Sequence, residues 1–360
     1  MALLCSALVT AAAQSPSFDD IAARAAAART ANDIPGAIEL YRQGVAVNPR
    51  WGEGWWYLGT LLYDSDQYAA ARDALTNAVK LAPNASPAWG LLGLSEFETG
   101  AYQPALEHIQ RALEDAASEP LEMSAVLRYH EALLLTRAGD FDAAMQRYAS
   151  LSRNAKPGPE LLAAIGLAAL RVAMLPRQIP ADHRELYVTS GRAAYCIMAG
   201  DYAAADDSFR DLMSRFPNEP GVHYLHGTYL LASAPEHAIA ELKRELQIAP
   251  TNAAAAGTLA WALLNRGDTA SALGYGQLAA KGLPSWPTAQ YVLGRALAET
   301  GATGQGIEHL EHAAKLDPAN LEVHLALASA YSNAGRTPEA RAERAQAVAL
   351  AKGTGAVPKP

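Results

Sequence analysis

Pairs of histidines are the residues of this chain whose spacing could support metal chemistry. His223 and His226 lie three residues apart, as do His309 and His312, so each pair would share one face of a helix. Zinc sites take at least three protein ligands, and no third ligand is evident beside the second pair. We interpret the first pair as packed, hydrogen-bonded histidines and the second as residues nearer the solvent. The sequence predicts no metal site.

Other motifs that could indicate an enzyme depart from the pattern that the chemistry requires. The segment His130-Glu131-Ala132-Leu133-Leu134 has leucine where a zinc-protease helix needs its second histidine. The glycine-rich segment 301–306 follows no strand, unlike a phosphate-binding loop. The four aspartates between residues 201 and 211 form a solvated helix face. No Ser-His-Asp or Cys-His arrangement is readable, so we predict that the chain is not an enzyme and takes no cofactor.

The composition limits the kinds of partner. Half of the residues are hydrophobic, and the formal net charge is -8. Nucleic-acid binding needs a basic surface, and no run of Lys and Arg occurs, so we expect no nucleic-acid partner. Of the two cysteines, Cys5 lies in the first apolar segment, and Cys196 is interpreted as a buried small hydrophobic residue. A disulfide framework is therefore not expected.

The first residues resemble part of a secretory signal. Residues 1–15 are apolar and end near Ala11-Ala12-Ala13, which fits a hydrophobic region with a small-residue cleavage site, although the usual positive leader is absent. We expect this segment to be a signal peptide or a disordered N-terminus. The expected location is periplasmic or secreted, with a cytoplasmic location as the alternative. No segment reaches the ~20 apolar residues of a membrane-spanning helix.

A short pattern recurs along the chain at a spacing of about 34 residues, which is typical of helix-turn-helix solenoids. Two consecutive copies begin at Gly267 and Gly301, and each ends in a proline, Pro284 or Pro318. Apolar residues three and four apart place one stripe on each helix. Glycine in the turn can adopt a positive φ, and proline ends the second helix. One helix pair cannot bury its apolar stripe alone, so the copies must stack.

The residues within each copy resemble those of tetratricopeptide repeats. One copy matches the family in order through Trp55, Leu58, Gly59, Leu62, Tyr68, Ala71, Leu75, Ala78 and Pro83. The resemblance covers about residues 18–352 and implies an all-α superhelix, a solenoid of about nine helix-turn-helix repeats. The repeats begin near Phe18, Gly52, Ser86, Ala125, Leu186, Pro220, Ala253, Pro287 and Leu321. Small residues such as Gly59, Gly93 and Gly294 let the two helices of a repeat approach closely.

The domain organisation follows from the repeats. Repeats one to four span residues 16–158, and repeats five to nine span residues 186–352. Residues 159–185 belong to no repeat, and we interpret them either as an extra helix that caps or bends the stack or as a hinge or docking element. Residues 353–360 are expected to form a disordered tail.

The resemblance also implies a function. Proteins of this family bind extended peptides on the surface formed by their first helices, so we predict a non-enzymatic protein-interaction scaffold with an aromatic-lined groove. The residues assigned to the groove are Trp56, Tyr63, Phe97, Tyr129, Arg137, Tyr224, Trp261, Tyr291 and Arg295. The alternative is a carbohydrate-handling factor in envelope assembly or exopolysaccharide export, because aromatic rings also stack on sugars. The oligomeric state is left open.

Overall fold

The fold is helical throughout the part of the chain that the structure describes. The computed structural model describes residues 17–114, 121–152 and 157–353, whose regular structure consists of α-helices and one 3-10 turn. This confirms the predicted all-α class. Residues 1–15 and the tail beyond Gly353, the last residue of the final helix, lie outside the described residues. None of the described helices is both long enough and apolar enough to cross a membrane.

The first of two compact units comprises residues 1–151. Its helices form four consecutive pairs, and the first seven of these helices pack consecutively, each against the next along the chain. The first helices of neighbouring pairs also touch, since α5 contacts both α3 and α7. The helices are α1 (Phe18–Thr30), α2 (Ile34–Val47), α3 (Gly52–Asp64), α4 (Tyr68–Leu81), α5 (Ser86–Glu98), α6 (Tyr102–Glu114), α7 (Leu121–Ala138) and α8 (Phe141–Ser152).

The second unit comprises residues 152–360. It contains one helix outside the repeats, α9, followed by five helix pairs. Together with the four pairs of the first unit, this gives the nine pairs that the repeats predict. The helices are α9 (Pro159–Ala169), α10 (Arg184–Met198), α11 (Tyr202–Arg215), α12 (Val222–Leu230), α13 (Pro235–Ile248), α14 (Ala253–Asn265), α15 (Thr269–Gly282), α16 (Pro287–Glu299), α17 (Thr303–Leu316), α18 (Leu321–Asn333) and α19 (Thr337–Gly353).

The turns inside the pairs have the backbone geometry that the sequence predicts. Gly267, between α14 and α15, has a φ of 83°. This left-handed conformation costs glycine little because glycine has no Cβ. In the first pair Asn32 stands in the place of the glycine and adopts a φ of 59°. The turn is therefore retained there, since asparagine tolerates the left-handed region better than most residues.

Close packing inside the pairs depends on small residues. A Cβ on Gly59 would lie 2.6 Å from Cγ of Leu75, and a Cβ on Gly294 would lie 2.8 Å from the carbonyl oxygen of Gly306. Both distances are shorter than a real contact allows, so a larger side chain would push the second helix away from the first. The predicted role of these glycines is confirmed.

A side chain near the start of a first helix bonds to the proline that closes the preceding pair. In five pairs the donor lies six residues after that proline, and its type varies while its position does not. The bonds are Trp55 Nε1 to Pro49 O (2.9 Å), Trp89 Nε1 to Pro83 O (2.8 Å), His223 Nε2 to Pro217 O (2.9 Å), Gln290 Nε2 to Pro284 O (2.7 Å) and His324 Nε2 to Pro318 O (3.0 Å). Each bond ties one pair to the next.

Histidine in this position needs a second acceptor. The Nδ1 atom of His223 lies 2.5 Å from Oε2 of Glu241 on α13, and that of His324 lies 2.6 Å from Oε2 of Glu343 on α19. A carbonyl and a carboxylate both accept hydrogen bonds, so the two acceptors around His223 favour the ring with both nitrogens protonated. The interpretation of His223 as a packed, hydrogen-bonded histidine is confirmed, and it is buried at 7% exposure.

The second histidine of that pair lies beside the same carboxylate. His226 Nδ1 is 3.4 Å from Oε1 of Glu241, and its ring lies 4.8 Å from that of Phe209. The hydrogen bond from His223, followed by the interaction with His226, lowers the pKa of Glu241 to about 2. The same bond to Glu241 raises the pKa of His223. The imidazolium and the carboxylate therefore stabilise each other across α12 and α13.

The stability of the second unit should depend on pH through this pair. The contribution of His223 to the free energy of unfolding is complete below its ordinary pKa of 6.5, and it is lost as pH rises through the raised pKa of the folded state. The contribution of Glu241 is complete above its ordinary pKa of 4.5 and is lost as pH falls towards 2. The pair therefore stabilises most between these two ordinary values. Above that range we expect a loss of about 1–2 kcal/mol in the free energy of unfolding.

The variant His223→Gln separates this titration from the packing. Glutamine can still donate to Pro217, as Gln290 does to Pro284, but it does not titrate. Urea unfolding of the full chain, measured within the stable range and at alkaline pH, should show a smaller alkaline loss in the variant than in the parent. An equal loss in both proteins would show that His223 does not carry the pH dependence.

Residues 159–185, which belong to no repeat, form α9, a connector and the first two residues of α10. Every residue from Leu162 to Leu170 is buried, and α9 packs against α10 along its length. Arg171 ends the helix with a φ of 58°, and Leu175 in the connector is only 1% exposed. The burial of α9 agrees with an extra helix, whereas Arg177, Gln178 and residues 180–183 of the connector are exposed, so both interpretations of this segment stay predictions.

Candidate binding grooves

The first helices of three consecutive pairs enclose a groove of about 580 Å³ in the first unit. We call it the N-terminal groove. It lies between α3, α5 and α7, and its lining comes from residues one helical turn apart on each helix. The lining residues are Thr60, Tyr63, Asp64, Leu91, Leu94, Met123 and Val126.

The N-terminal groove is mainly apolar. Leu91 and Leu94 form its buried floor at 8% and 2% exposure, whereas Val126 leaves 42% of its surface in the solvent. The Thr60 hydroxyl already donates to the carbonyl of Tyr57 at 3.0 Å, so it adds little free polarity. Burial of the remaining apolar surface by a ligand would be favourable, at about 25 cal/mol per Å².

Tyr63 is the one residue of the predicted groove that lines the N-terminal groove. Its ring packs edge-on against that of Tyr68 with the centroids 5.4 Å apart, which fixes its orientation. Burial, followed by the nearby carboxylates of Glu98, Asp64 and Asp66, raises the pKa of the Tyr63 hydroxyl. The side chain therefore stays neutral at physiological pH and can donate a hydrogen bond at the edge of the groove.

Three of the aromatic residues assigned to the groove are buried, and for them the predicted placement off the buried stripe is wrong. Phe97, Tyr224 and Tyr291 are exposed by only 5%, 9% and 6%. Phe97 packs edge-on against His130 of α7 at 4.8 Å between the ring centroids, so the next first helix covers it. Stacking of neighbouring pairs makes the buried stripe wider than one pair alone would require.

The other predicted residues of the first unit keep some exposure but do not line the N-terminal groove. Trp56 and Tyr129 are half-buried on α3 and α7. Arg137 is exposed, and its guanidinium lies 4.1 Å from the centre of the Tyr102 ring. This cation–π contact joins α7 of the fourth pair to α6 of the third pair.

The first helices of the last three pairs enclose a second depression of about 390 Å³. We call it the C-terminal cleft. It lies within the second unit, where α16 contacts both α14 and α18. Its lining residues are Asn265, Tyr291, Arg295, Ala298, Glu299, Leu310, Glu322, Leu325, Ala326, Ser329, Ala330 and Asn333. Two residues of the predicted groove, Tyr291 and Arg295, therefore come together here.

Arg295 is held by partners inside the cleft. Its Nε donates to Oε1 of Glu299 at 2.7 Å, and its Nη1 donates to Asn265 Oδ1 at 3.1 Å and to the Tyr291 hydroxyl at 3.2 Å. Its Nη2 donates to the carbonyl of Leu264 at 3.3 Å. Burial opposes the charge, but the hydrogen bonds to Glu299 and Tyr291 outweigh it and raise the pKa of Arg295.

Trp261 on α14 bonds to a residue that lines the C-terminal cleft. Its Nε1 donates to Oε2 of Glu322 at 3.2 Å, although the two residues are 61 positions apart. Trp261 also lines a smaller depression with Leu231, Pro235 and Ile239. The indole nitrogen is already bonded within the protein. The role of Trp261 as an anchor in binding stays a prediction.

Sequence reasoning missed most of the apolar lining of both depressions. The predicted groove does not include Leu91, Leu94, Met123 and Val126, because the prediction relies on aromatic residues as anchors. A signal was present, since positions 91 and 94 and positions 123 and 126 repeat the spacing of Thr60 and Tyr63. Glu322 and Leu325 carry the same spacing on α18.

Comparison with known proteins gives family matches at both ends of the chain. Two overlapping matches to a tetratricopeptide repeat family cover residues 22–73 and 58–120, and a third match, to another family of tetratricopeptide repeats, covers residues 297–356. No curated protein matches the chain in sequence.

Similar solved structures include two that contain tetratricopeptide repeat proteins. One is MamA, from residue 41 to its end, of Desulfovibrio magneticus RS-1, with 19% identity and a TM-score of 0.41 over 47% of this chain and 96% of that one. Another is the APC/C hetero-tetramer Cut9-Hcn1, with 15% identity and a TM-score of 0.37 over 93% of this chain and 79% of that one. These likenesses are distant, and the family assignment follows from the repeat matches.

The repeat matches and the nine helix pairs both indicate a solenoid of tetratricopeptide repeats. Proteins with these repeats are generally non-enzymatic scaffolds that bind protein partners. The chain is a tetratricopeptide repeat protein by the repeats matched over residues 22–120 and 297–356, and these repeats support a role as a protein-interaction scaffold.

Proposed function

We propose that the chain binds a segment of a partner protein in the N-terminal groove and takes apolar side chains of that segment between α3, α5 and α7. The observation that carries the proposal is the apolar lining contributed by three consecutive first helices, with Val126 left 42% exposed. An isolated exposed valine needs no explanation, but here it stands at the edge of a depression whose floor is two leucines.

The shape and polarity of the groove support a peptide segment as the ligand. An apolar side chain can enter over Leu91 and Leu94, while the Tyr63 hydroxyl and the Asp64 carboxylate at the rim can hydrogen-bond to polar groups of the same segment. A segment of this kind combines a few buried side chains with a hydrogen-bonded backbone.

The carbohydrate alternative draws on a different set of residues. Sugar rings stack on exposed faces of aromatic side chains, and the burial of Phe97, Tyr224 and Tyr291 takes three predicted faces away. Trp56 in the first unit and Trp261 in the second remain half-exposed. The peptide proposal therefore has the stronger support.

The variant Val126→Asp tests the proposal. A display library of short random peptides is panned against the full chain, and the dissociation constants of the selected peptides are then measured for parent and variant. A carboxylate in the apolar groove should weaken peptides with apolar side chains by about tenfold or more, since burying an unpaired charge costs well over 1 kcal/mol.

Val348→Asp is the matched control. Val348 lies on α19, outside both depressions, and has the same 42% exposure as Val126. The Val348→Asp variant should bind the selected peptides with the same affinity as the parent. Circular dichroism should show that both variants are folded. Equal affinities for Val126→Asp and the parent would exclude the N-terminal groove as the peptide site.

A further inference from the structure

The arginine of the C-terminal cleft is largely occupied by acceptors within the protein, with four hydrogen bonds from its five N–H groups. The Nε, Nη1 and Nη2 atoms of Arg295 donate to Glu299, Asn265, Tyr291 and the carbonyl of Leu264. Glu299 is also satisfied on both oxygens, because Oε2 accepts from the Thr269 hydroxyl at 2.6 Å. Arg295 and Glu299 therefore form a neutral pair within the protein.

Glu322 supplies the remaining charge of the cleft. Its Oε2 accepts from the indole of Trp261, which is a neutral donor, and the residue is exposed to solvent. Of the charged residues in the lining, Arg295 and Glu299 cancel and Glu322 is left over. The cleft therefore presents one net negative charge, in keeping with the overall charge of -8.

The surface beside Glu322 suits the stem of a long basic side chain. Leu325, one helical turn along α18, is 47% exposed, and Ala326 lies next to it on the same face. Lysine and arginine cover apolar surface with their methylene groups while the charged end stays near water or a carboxylate. Ser329 and Asn333 continue this face with neutral polar groups.

Given that the chain binds partner segments as proposed above, we infer that the C-terminal cleft selects a basic side chain of such a segment. The side chain lies along Leu325 and Ala326, and its ammonium or guanidinium group pairs with the Glu322 carboxylate. The complementarity of charge favours a lysine or arginine, and it disfavours segments that offer a carboxylate at this point. The two sites are separate, one in each unit.

The test uses the full chain carrying Val126→Asp, so that the N-terminal groove contributes as little as possible. The same random-peptide library is panned against it, and the selected peptides should be enriched in Lys and Arg. Because the new carboxylate could attract basic peptides by itself, the enrichment is assigned to the cleft only if Glu322→Gln removes it. A selected peptide is then compared with its analogue in which norleucine replaces the lysine. Norleucine keeps the alkyl stem and removes the charge, so the comparison isolates the ionic contact.

Glu322→Gln provides the second half of a double-mutant cycle. Glutamine is of the same size and can still accept from Trp261, so the cleft should keep its shape. We expect the change to weaken the lysine peptide by about three- to tenfold and to abolish the preference for lysine over norleucine. Glu308→Gln, at an exposed position on α17 outside the cleft, changes the net charge equally and should have little effect.

The outcomes separate the two proposals. If Val126→Asp selects no peptides while the parent does, the inference about the cleft is wrong and the proposed function stands. If Glu308→Gln weakens the lysine peptide as much as Glu322→Gln, the attraction is a general effect of net charge and the inference is wrong. If the parent's peptides are unaffected by Val126→Asp but depend on Glu322, the cleft is confirmed and the N-terminal groove is excluded.

Discussion

Gly191→Ala is expected to destabilise the second unit by about 2–3 kcal/mol, although alanine is the better helix former. Gly191 on α10 faces Leu162 on α9, and a Cβ there would lie 1.8 Å from the Leu162 carbonyl oxygen. The contact is reciprocal, since a Cβ on Gly166 would lie 1.9 Å from the carbonyl oxygen of Tyr187. Backbone atoms cannot rotate away as a side chain can, so α9 and α10 must separate.

The opposing effects can be compared. Replacing glycine by alanine inside a helix ordinarily gains up to about 1 kcal/mol. The forced separation of α9 from α10 costs more, because Leu162 to Leu170 lose their close packing. Urea unfolding followed by circular dichroism should therefore show an earlier transition for Gly191→Ala.

Gly274→Ala serves as the control for Gly191→Ala. Gly274 lies inside α15 of the same unit, and a Cβ there would meet nothing within 4 Å. The control should be as stable as the parent or slightly more stable. A parent-like stability of Gly191→Ala would mean that α9 and α10 are not in close contact, and the description of residues 159–185 as a packed element would have to be abandoned.

Glu245→Ala should cost about 3 kcal/mol, the second large effect. Glu245 on α13 is completely buried and accepts three hydrogen bonds. Its Oε1 accepts from the backbone of Gly221 and from Asn252 Nδ2, both at 2.8 Å, and its Oε2 accepts from the backbone of Tyr224 at 3.3 Å. Alanine would leave the two buried backbone donors and the half-buried amide of Asn252 without this acceptor.

The position of Glu245 explains why the loss should be large. Gly221 and Tyr224 lie at the start of α12, where the backbone N–H groups have no partner within the helix. Asn252 caps α14 by accepting from the backbone of Ala255 at 3.1 Å. One carboxylate therefore fixes the starts of two first helices, and its negative charge also suits the N-terminus of α12.

Two variants bracket the effect of Glu245→Ala. Glu245→Gln retains one acceptor oxygen and should lose less stability than the alanine variant. Glu308→Ala, at an exposed position on α17, should change the free energy of unfolding by no more than about 0.5 kcal/mol. If Glu245→Ala unfolds at the same urea concentration as the parent, the carboxylate does not organise these helices.

The repeat pattern predicted the fold because each of its positions has a local physical reason. Gly59 and Gly294 mark close helix contacts, and Gly267 marks a turn with positive φ, so periodic spacing translates directly into helix pairs. The bond to the closing proline was not predicted, because Trp55, His223 and Gln290 differ in type and share only their distance from that proline.

The binding surfaces were harder to predict, since they depend on how pairs stack. Phe97 and Tyr291 lie at the edge of the apolar stripe, and only the next first helix decides whether such a ring is covered. The hydrogen bond between Trp261 and Glu322 joins residues 61 positions apart in the sequence. The spacing of apolar residues within a helix cannot predict a contact between residues so far apart. Sequence spacing therefore predicts where the helices lie but not which of their side chains are exposed.

The central claim is that the N-terminal groove receives the partner segment, and photo-crosslinking tests it most directly. A full chain with benzoylphenylalanine at Val126 is irradiated with a peptide selected by the parent, and a second chain carries the label at Val348. We expect a crosslinked adduct from position 126 and none from position 348. An excess of a second peptide selected by the parent should compete for the groove and reduce the yield of the adduct at position 126. Adducts of equal yield from both positions, or from position 348 alone, would contradict the assignment of the groove.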